Sequence, residues 1–184
     1  MIAGTSCGGR KPFNVKRRVD LRLASDAARA VADSIGIQAQ PLTDEDFLYE
    51  TFDANLIAAG ILPVRLMLTN SSTGSVNLKN TRFEVRSQTG RSFKSSKADE
   101  AFKRLVSYYG ISTYNKSGYK ESKNDFGGYA LDTKPPLVGG QSRQGLLFFL
   151  MPAEIARETG LTLLIGRLGA KQTGGRIAVE LRLN

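Results

Sequence analysis

The chain has 184 residues, 41% hydrophobic and 23% charged, enough apolar material for one real core and too much for a disordered chain. With no histidine and a single cysteine, it excludes an internal disulfide and any Ser-His-Asp or Cys-His nucleophile, and it argues against a zinc site. The net charge of +9 favours anionic partners, and no run of about 18 apolar residues reads as a membrane-spanning helix.

Residues 1–12 read as a flexible tail and residues 13–184 as a single domain. Behind the tail, Val19, Leu21 and Leu23 alternate with Asp20 and Arg22, the pattern of a half-buried strand. Ser25-Asp26-Ala27-Ala28 predicts the start of an alanine-rich helix ending near Gly36. Thr43-Asp44-Glu45-Asp46 predicts a second helix, docked through Phe47, Leu48 and Phe52. In ILPVRLMLTNSSTGS, Val64, Leu66 and Leu68 alternate with Arg65, Met67 and Thr69 until the polar turn at Asn70. TRFEVRSQTGRSF reads as a hairpin, with Phe83 and Val85 inward, Arg82, Glu84 and Arg86 outward, and Thr89-Gly90 at the turn. Ser96-Lys97-Ala98-Asp99 resembles a capping box, and Phe102, Leu105, Val106 and Tyr109 behind it follow helical spacing.

From Gly110 to Gly140 the chain turns polar and is punctuated by Gly127-Gly128, Pro135-Pro136 and Gly139-Gly140, which reads as a long functional loop. It holds Tyr114, Tyr119 and Tyr129 interleaved with Lys116, Lys120 and Lys123, a candidate partner-binding set. The competing reading is that Tyr108 and Tyr109 belong to the preceding helix and pack inward, while the other tyrosines pin the loop down. Three strands close the chain: the wholly apolar GLLFFLM in a central position, then LTLLIGRL, then RIAVELRL with Ile177, Val179, Leu181 and Leu183 inward. Strands outnumber helices and do not alternate with them regularly, so the expected fold is mainly β, a β-sandwich with two or three short helices between strands.

No motif supports catalysis. Asp44, Glu45 and Asp46, like Asp99 and Glu100, sit at helix starts, where they complement the dipole rather than form a glycosidase pair. Ser92-Phe93-Lys94 and Ser95-Ser96-Lys97 lack the spacing of a serine–lysine dyad. The glycines around Arg10-Lys11 and Gly166–Lys171 lack the strand–loop–helix setting of a phosphate loop, and Asn124-Asp125 is too sparse for calcium. The expectation is a protein with no enzymatic role, no cofactor and no metal.

Two resemblances point to a compartment. Gly4-Thr5-Ser6-Cys7 resembles the end of a bacterial lipobox, with Gly4 where a leucine-like residue is usual. This implies lipid attachment at Cys7, the secretion signal lying upstream of Met1. The basic residues that follow, Arg10, Lys11, Lys16, Arg17 and Arg18, would then lie against an anionic membrane surface. FDANLIAAGILPVRLMLTNSS and GGQSRQGLLFF resemble segments of bacterial envelope lipoproteins of unknown function that carry an immunoglobulin-like β-sandwich domain. The resemblance implies an immunoglobulin-like sandwich on the cell envelope and supplies no catalytic residue. The expected function is therefore a lipid-anchored envelope domain that binds a protein or polymer, the alternative being a cytoplasmic nucleic-acid-binding protein.

Overall fold

The structure is a computed structural model that describes residues 13–17, 21–111, 116–168 and 176–180. It is mainly β, with eight antiparallel strands and four helices among the described residues. In chain order these are β1 (Ala28–Ala32), β2 (Ile35–Pro41), α1 (Glu45–Phe52), β3 (Ile61–Asn70), β4 (Arg82–Arg86), β5 (Ser92–Ser96), α2 (Ala98–Tyr109), α3 (Lys116–Gly128), β6 (Ser142–Leu150), α4 (Ala153–Ala156), β7 (Thr162–Gly166) and β8 (Arg176–Glu180).

The strands run in the order β1-β2-β3-β6-β5-β4-β7-β8. β5 joins two ladders: Ser92 and Lys94 pair with β4, while Ser95 and Ser96 pair with β6. The sheet curls until its first and last strands, β1 and β8, lie side by side. The apolar GLLFFLM run is central as expected, because β6 is flanked by β3 and β5. Val64, Leu66 and Leu68 on β3 are fully buried. Arg65, expected on the outer face, is buried too, at 7% exposure, with its guanidinium 5.9 Å from the Phe47 ring centroid.

Two expectations fail near the start of the described chain. Ser25–Gly36 is not a helix. The chain turns at Ser25-Asp26 and forms the β1–β2 hairpin through Asp33, left-handed at φ 52°, and Ser34. Helix propensity is a weak prior, and a short isolated alanine helix is marginal. Pairing to β3 wins instead, from Ile35 opposite Asn70 to Pro41 opposite Val64, and it buries Ile35, Ile37 and Ala39 with period two. The strand expected over Val19–Leu23 is also absent from its described part: Leu21 is buried and Leu23 half-buried, but residues 21–24 join no ladder.

The helix starts show how local chemistry sets boundaries. At α1, Asp44 accepts a hydrogen bond from Phe47 N at 3.0 Å. At α2 the helix begins one residue later than the Ser96 box predicts, with Lys97 as N-cap. The reaching-back half of a box survives, since Lys97 N donates to Glu100 Oε2 at 3.4 Å.

The two segments that carry the family resemblance lie far apart in sequence and meet in space. β3 and β6 pair from Ile61 opposite Leu150 to Thr69 opposite Ser142. At their end the fully buried Asn70 donates to Gly74 O and Leu137 O, both at 2.9 Å, and accepts from Ser72 N and Ser72 Oγ. Gly140 N donates to Asn70 O at 2.7 Å, and Gly139 packs so closely on Ser72 O that no Cβ fits. Asparagine and paired glycines are thus required there by backbone geometry.

Candidate functional site

The long loop expected from Gly110 to Gly140 is in part a helix, α3, and most of its aromatic residues are structural. Tyr119, Ser122 and Phe126 form the inward face of α3. The Phe126 ring stacks on Phe148 of β6 at 4.8 Å, and it meets Phe52 at 5.6 Å and Phe102 at 5.4 Å. Tyr119, half-buried, meets Phe102 at 5.4 Å. Tyr129 is fully buried, 5.1 Å from Phe52, and is removed from any partner-binding role. The helical period was concealed because its middle inward position is a serine, Ser122, and the segment is rich in glycine and lysine.

This aromatic layer also holds the start of the described chain. Tyr129 Oη donates to Lys16 O at 3.1 Å, Ser122 Oγ donates to Phe13 O at 3.2 Å, and Lys16 N donates to Thr51 O at 2.9 Å. Val15 is buried and the Phe13 ring lies 6.2 Å from Phe102. Lys16 Nζ reaches Glu50 Oε1 at 2.8 Å and holds the Glu50 carboxyl below the usual carboxylate range.

Of the other expected site residues, Arg17 is exposed. Lys120 is exposed on α3, and Lys123 is spent on an ion pair with Asp99 at 2.9 Å. Lys116 opens α3. Cys7, Arg10, Lys11, Arg18 and Tyr114 lie outside the described residues. Ser117 and Lys120 have the serine–lysine dyad spacing that the sequence reading missed. Both are exposed, whereas such a dyad needs a desolvated lysine.

Tyr108 and Tyr109 do not pack inward as expected, and the structure gathers a different tyrosine set on the surface. Tyr49 of α1 and Tyr108 and Tyr109 at the end of α2 are 50%, 57% and 36% exposed, three of the five large apolar side chains left exposed among the described residues. The Tyr108 and Tyr109 rings meet edge-on, 4.9 Å apart at 82°. Tyr109 Oη accepts from Asn55 N and donates to Asn55 O, both at 3.1 Å, which pins α2 to the turn after α1. Burial, then the hydrogen bond with Tyr49, push the Tyr109 phenol up to about 12. At the margin, Arg157 of the turn after α4 lies 3.1 Å from Glu45, and hydrogen bonds from Arg157 and Asn55 hold that carboxyl down. The result is a rigid aromatic surface with polar neighbours, suited to stacking and hydrogen bonding rather than to bond making. Sequence reading overlooked Tyr49, because only the fold, by bonding Tyr109 to Asn55 and to Tyr49, makes it a neighbour of the tyrosines that end α2. Among the described residues no cluster of three or more His, Cys, Asp or Glu side chains forms a metal site.

No protein-family model matches the chain, and no curated protein is similar to it. It is similar to three solved structures. One is the yjhA protein from Bacillus subtilis, at 11% identity and a TM-score of 0.42, over 85% of this chain and 96% of that one. A second is an uncharacterized β-sandwich protein from Clostridium difficile 630, at 10% identity and a TM-score of 0.41, over 95% and 96%. The third is a functionally unknown protein from Listeria monocytogenes EGD-e, at 10% identity and a TM-score of 0.43, over 85% and 82%.

Proposed function

We propose that this chain is a non-enzymatic binding module of the bacterial cell envelope, an immunoglobulin-like β-sandwich anchored by lipid on Cys7, which takes a protein or polymer partner on Tyr49, Tyr108 and Tyr109. The observation that carries the reading is the gathering of these three tyrosines on one exposed surface, built from two helices and braced by Asn55. Tyrosine supplies wide contact area at low conformational cost and keeps a polar tip, which is why it recurs in recognition surfaces. The expected tether fits the same side of the molecule. Lys16 ion-pairs with Glu50, the neighbour of Tyr49, and six residues of fully extended chain from Phe13 to Cys7 span about 20 Å at most. A lipid on Cys7 would therefore hold the tyrosine surface close to the bilayer, with Arg10, Lys11, Arg17 and Arg18 near its anionic head groups.

Two experiments test the reading. Radiolabelled palmitate is expected in the wild-type protein expressed behind a secretion signal and lost in Cys7→Ala; label that persists removes the anchor. A photo-cross-linking residue placed at Tyr108 in cells is expected to give a defined adduct, while the same residue at Val138, 47% exposed and elsewhere, gives none. Equal or absent adducts at both positions remove the tyrosine surface.

A further inference from the structure

We propose that the outward face of the β4–β5 hairpin is a second binding surface, which takes an extended phosphodiester chain through its phosphates. Phe83 and Val85 of β4 are buried, so strand alternation turns Arg82, Glu84 and Arg86 outward. Lys94 of β5 lies directly opposite Glu84. Arg86 lies opposite Ser92 and donates from Nε to Ser92 Oγ at 3.4 Å. Arg82 pairs with Gly166 of β7, and Thr81 Oγ1 donates to Arg167 O at 3.5 Å, which brings Arg167 to that end of the strand. At the hairpin turn the Arg91 guanidinium stands 5.6 Å from the Phe93 ring centroid; Phe93 lies opposite the inward Val85, so Arg91 belongs to the other face.

Arg82, Arg86, Lys94 and Arg167 are all exposed. Arg86 is 3.7 Å from Glu84; among the described residues no ion pair engages the other three. Four residues at about 3.4 Å each set Arg82 and Arg86 about 14 Å apart along the strand, with Lys94 beside the midpoint. The cations form a track rather than a pocket. Such a track does not close around one small anion, but it matches a chain that offers a negative charge at regular short intervals, each contact releasing condensed counterions. Phe93 pairs with the inward Val85 and faces away from the track, so it offers no stacking platform there, and recognition rests on the phosphates rather than on bases. This surface depends neither on the lipid anchor nor on the tyrosine surface.

The test uses the full chain and three probes: a single-stranded oligothymidylate, an abasic oligomer of equal length, and phosphatidylserine vesicles. Both oligomers are expected to bind, with log affinity falling linearly in log salt. Arg82→Ser/Arg86→Ser/Lys94→Ser should weaken both by about tenfold or more at low salt and flatten the slope by about 2. Lys103→Ser/Lys120→Ser/Lys134→Ser removes the same charge from exposed positions off this face and should change affinity by less than about threefold. Tyr108→Ser should leave it unchanged. Circular dichroism verifies folding, and Lys94→Glu alone serves if the triple variant unfolds. Equal loss in the two triple variants, binding of the thymidylate without the abasic oligomer, vesicle binding without oligomer binding, or no binding at all would each overturn the proposal.

Discussion

Two tyrosine-bearing regions look alike in sequence and play opposite parts. Around α3, Tyr119 and Tyr129 face inward onto Phe52 and Phe102, and their neighbours hold the start of the described chain. At the junction of α1 and α2, Tyr49, Tyr108 and Tyr109 face outward. What separates them is the surface beneath. α3 lies over β6 and the rings of Phe148, Phe52 and Phe102, where an apolar ring can be covered on all sides. The end of α2 overhangs only the turn at Asn55, which can bond a hydroxyl but cannot enclose a ring. A tyrosine becomes core or contact surface according to what its helix covers.

The difference can be broken at four points. Phe126→Ala should destabilise the fold by about 3–5 kcal/mol, because it opens a cavity among three rings; chemical denaturation reads the change. A loss under about 1 kcal/mol would mean that α3 is a loosely held cover. Asn70→Ala removes the two bonds that the buried side-chain amide donates to Gly74 O and Leu137 O and takes the acceptor from Ser72 N; Leu137 O keeps its bond from Val76 N, and about 2 kcal/mol should be lost in the same assay. Tyr129→Phe keeps the ring and removes the bond to Lys16 O, for about 1 kcal/mol, and it should also raise protease sensitivity near Lys16. The outward set should behave differently: Tyr108→Ser is expected within about 0.5 kcal/mol of wild type while abolishing the adduct of a photo-cross-linking residue placed at Tyr49.

The sharpest contrast is with pH. The Tyr109 phenol sits at about 12 in the folded chain and near 10 when unfolded, so the folded state holds its proton longer. Its contribution is complete below about pH 10 and is lost as pH rises toward 12. Denaturation midpoints of wild type and Tyr109→Phe should therefore converge over that interval, and an unchanging gap would show that the hydroxyl is not protected. Glu45 and Glu50 act in the other direction: both are held down, so what their ion pairs contribute is lost as pH falls through the carboxylate range.

Legibility followed the local signals. Hydrophobic alternation disclosed β3, β4 and β8, because one strand's inward residues are decided by period two, and short apolar runs disclosed β6 and β7. Asp44 and the acidic turn behind it disclosed α1. α3 was hidden because its inward face includes Ser122, whose hydroxyl bonds Phe13 O rather than water, a partner 109 residues away. β1 and β2 were hidden because alanine is helix-prone locally, and only β3 makes a strand the better use of Ile35 and Ile37.

By itself the sequence determined that this is a mainly β protein with a basic surface, no histidine chemistry and no internal disulfide, since composition and period are properties of the chain alone. Which tyrosines meet a partner, and which arginines line up in a track, was decided only by tertiary structure. Those neighbourhoods join residues such as Tyr49 and Tyr109, or Arg82 and Arg167, whose adjacency exists only once helices and strands have packed.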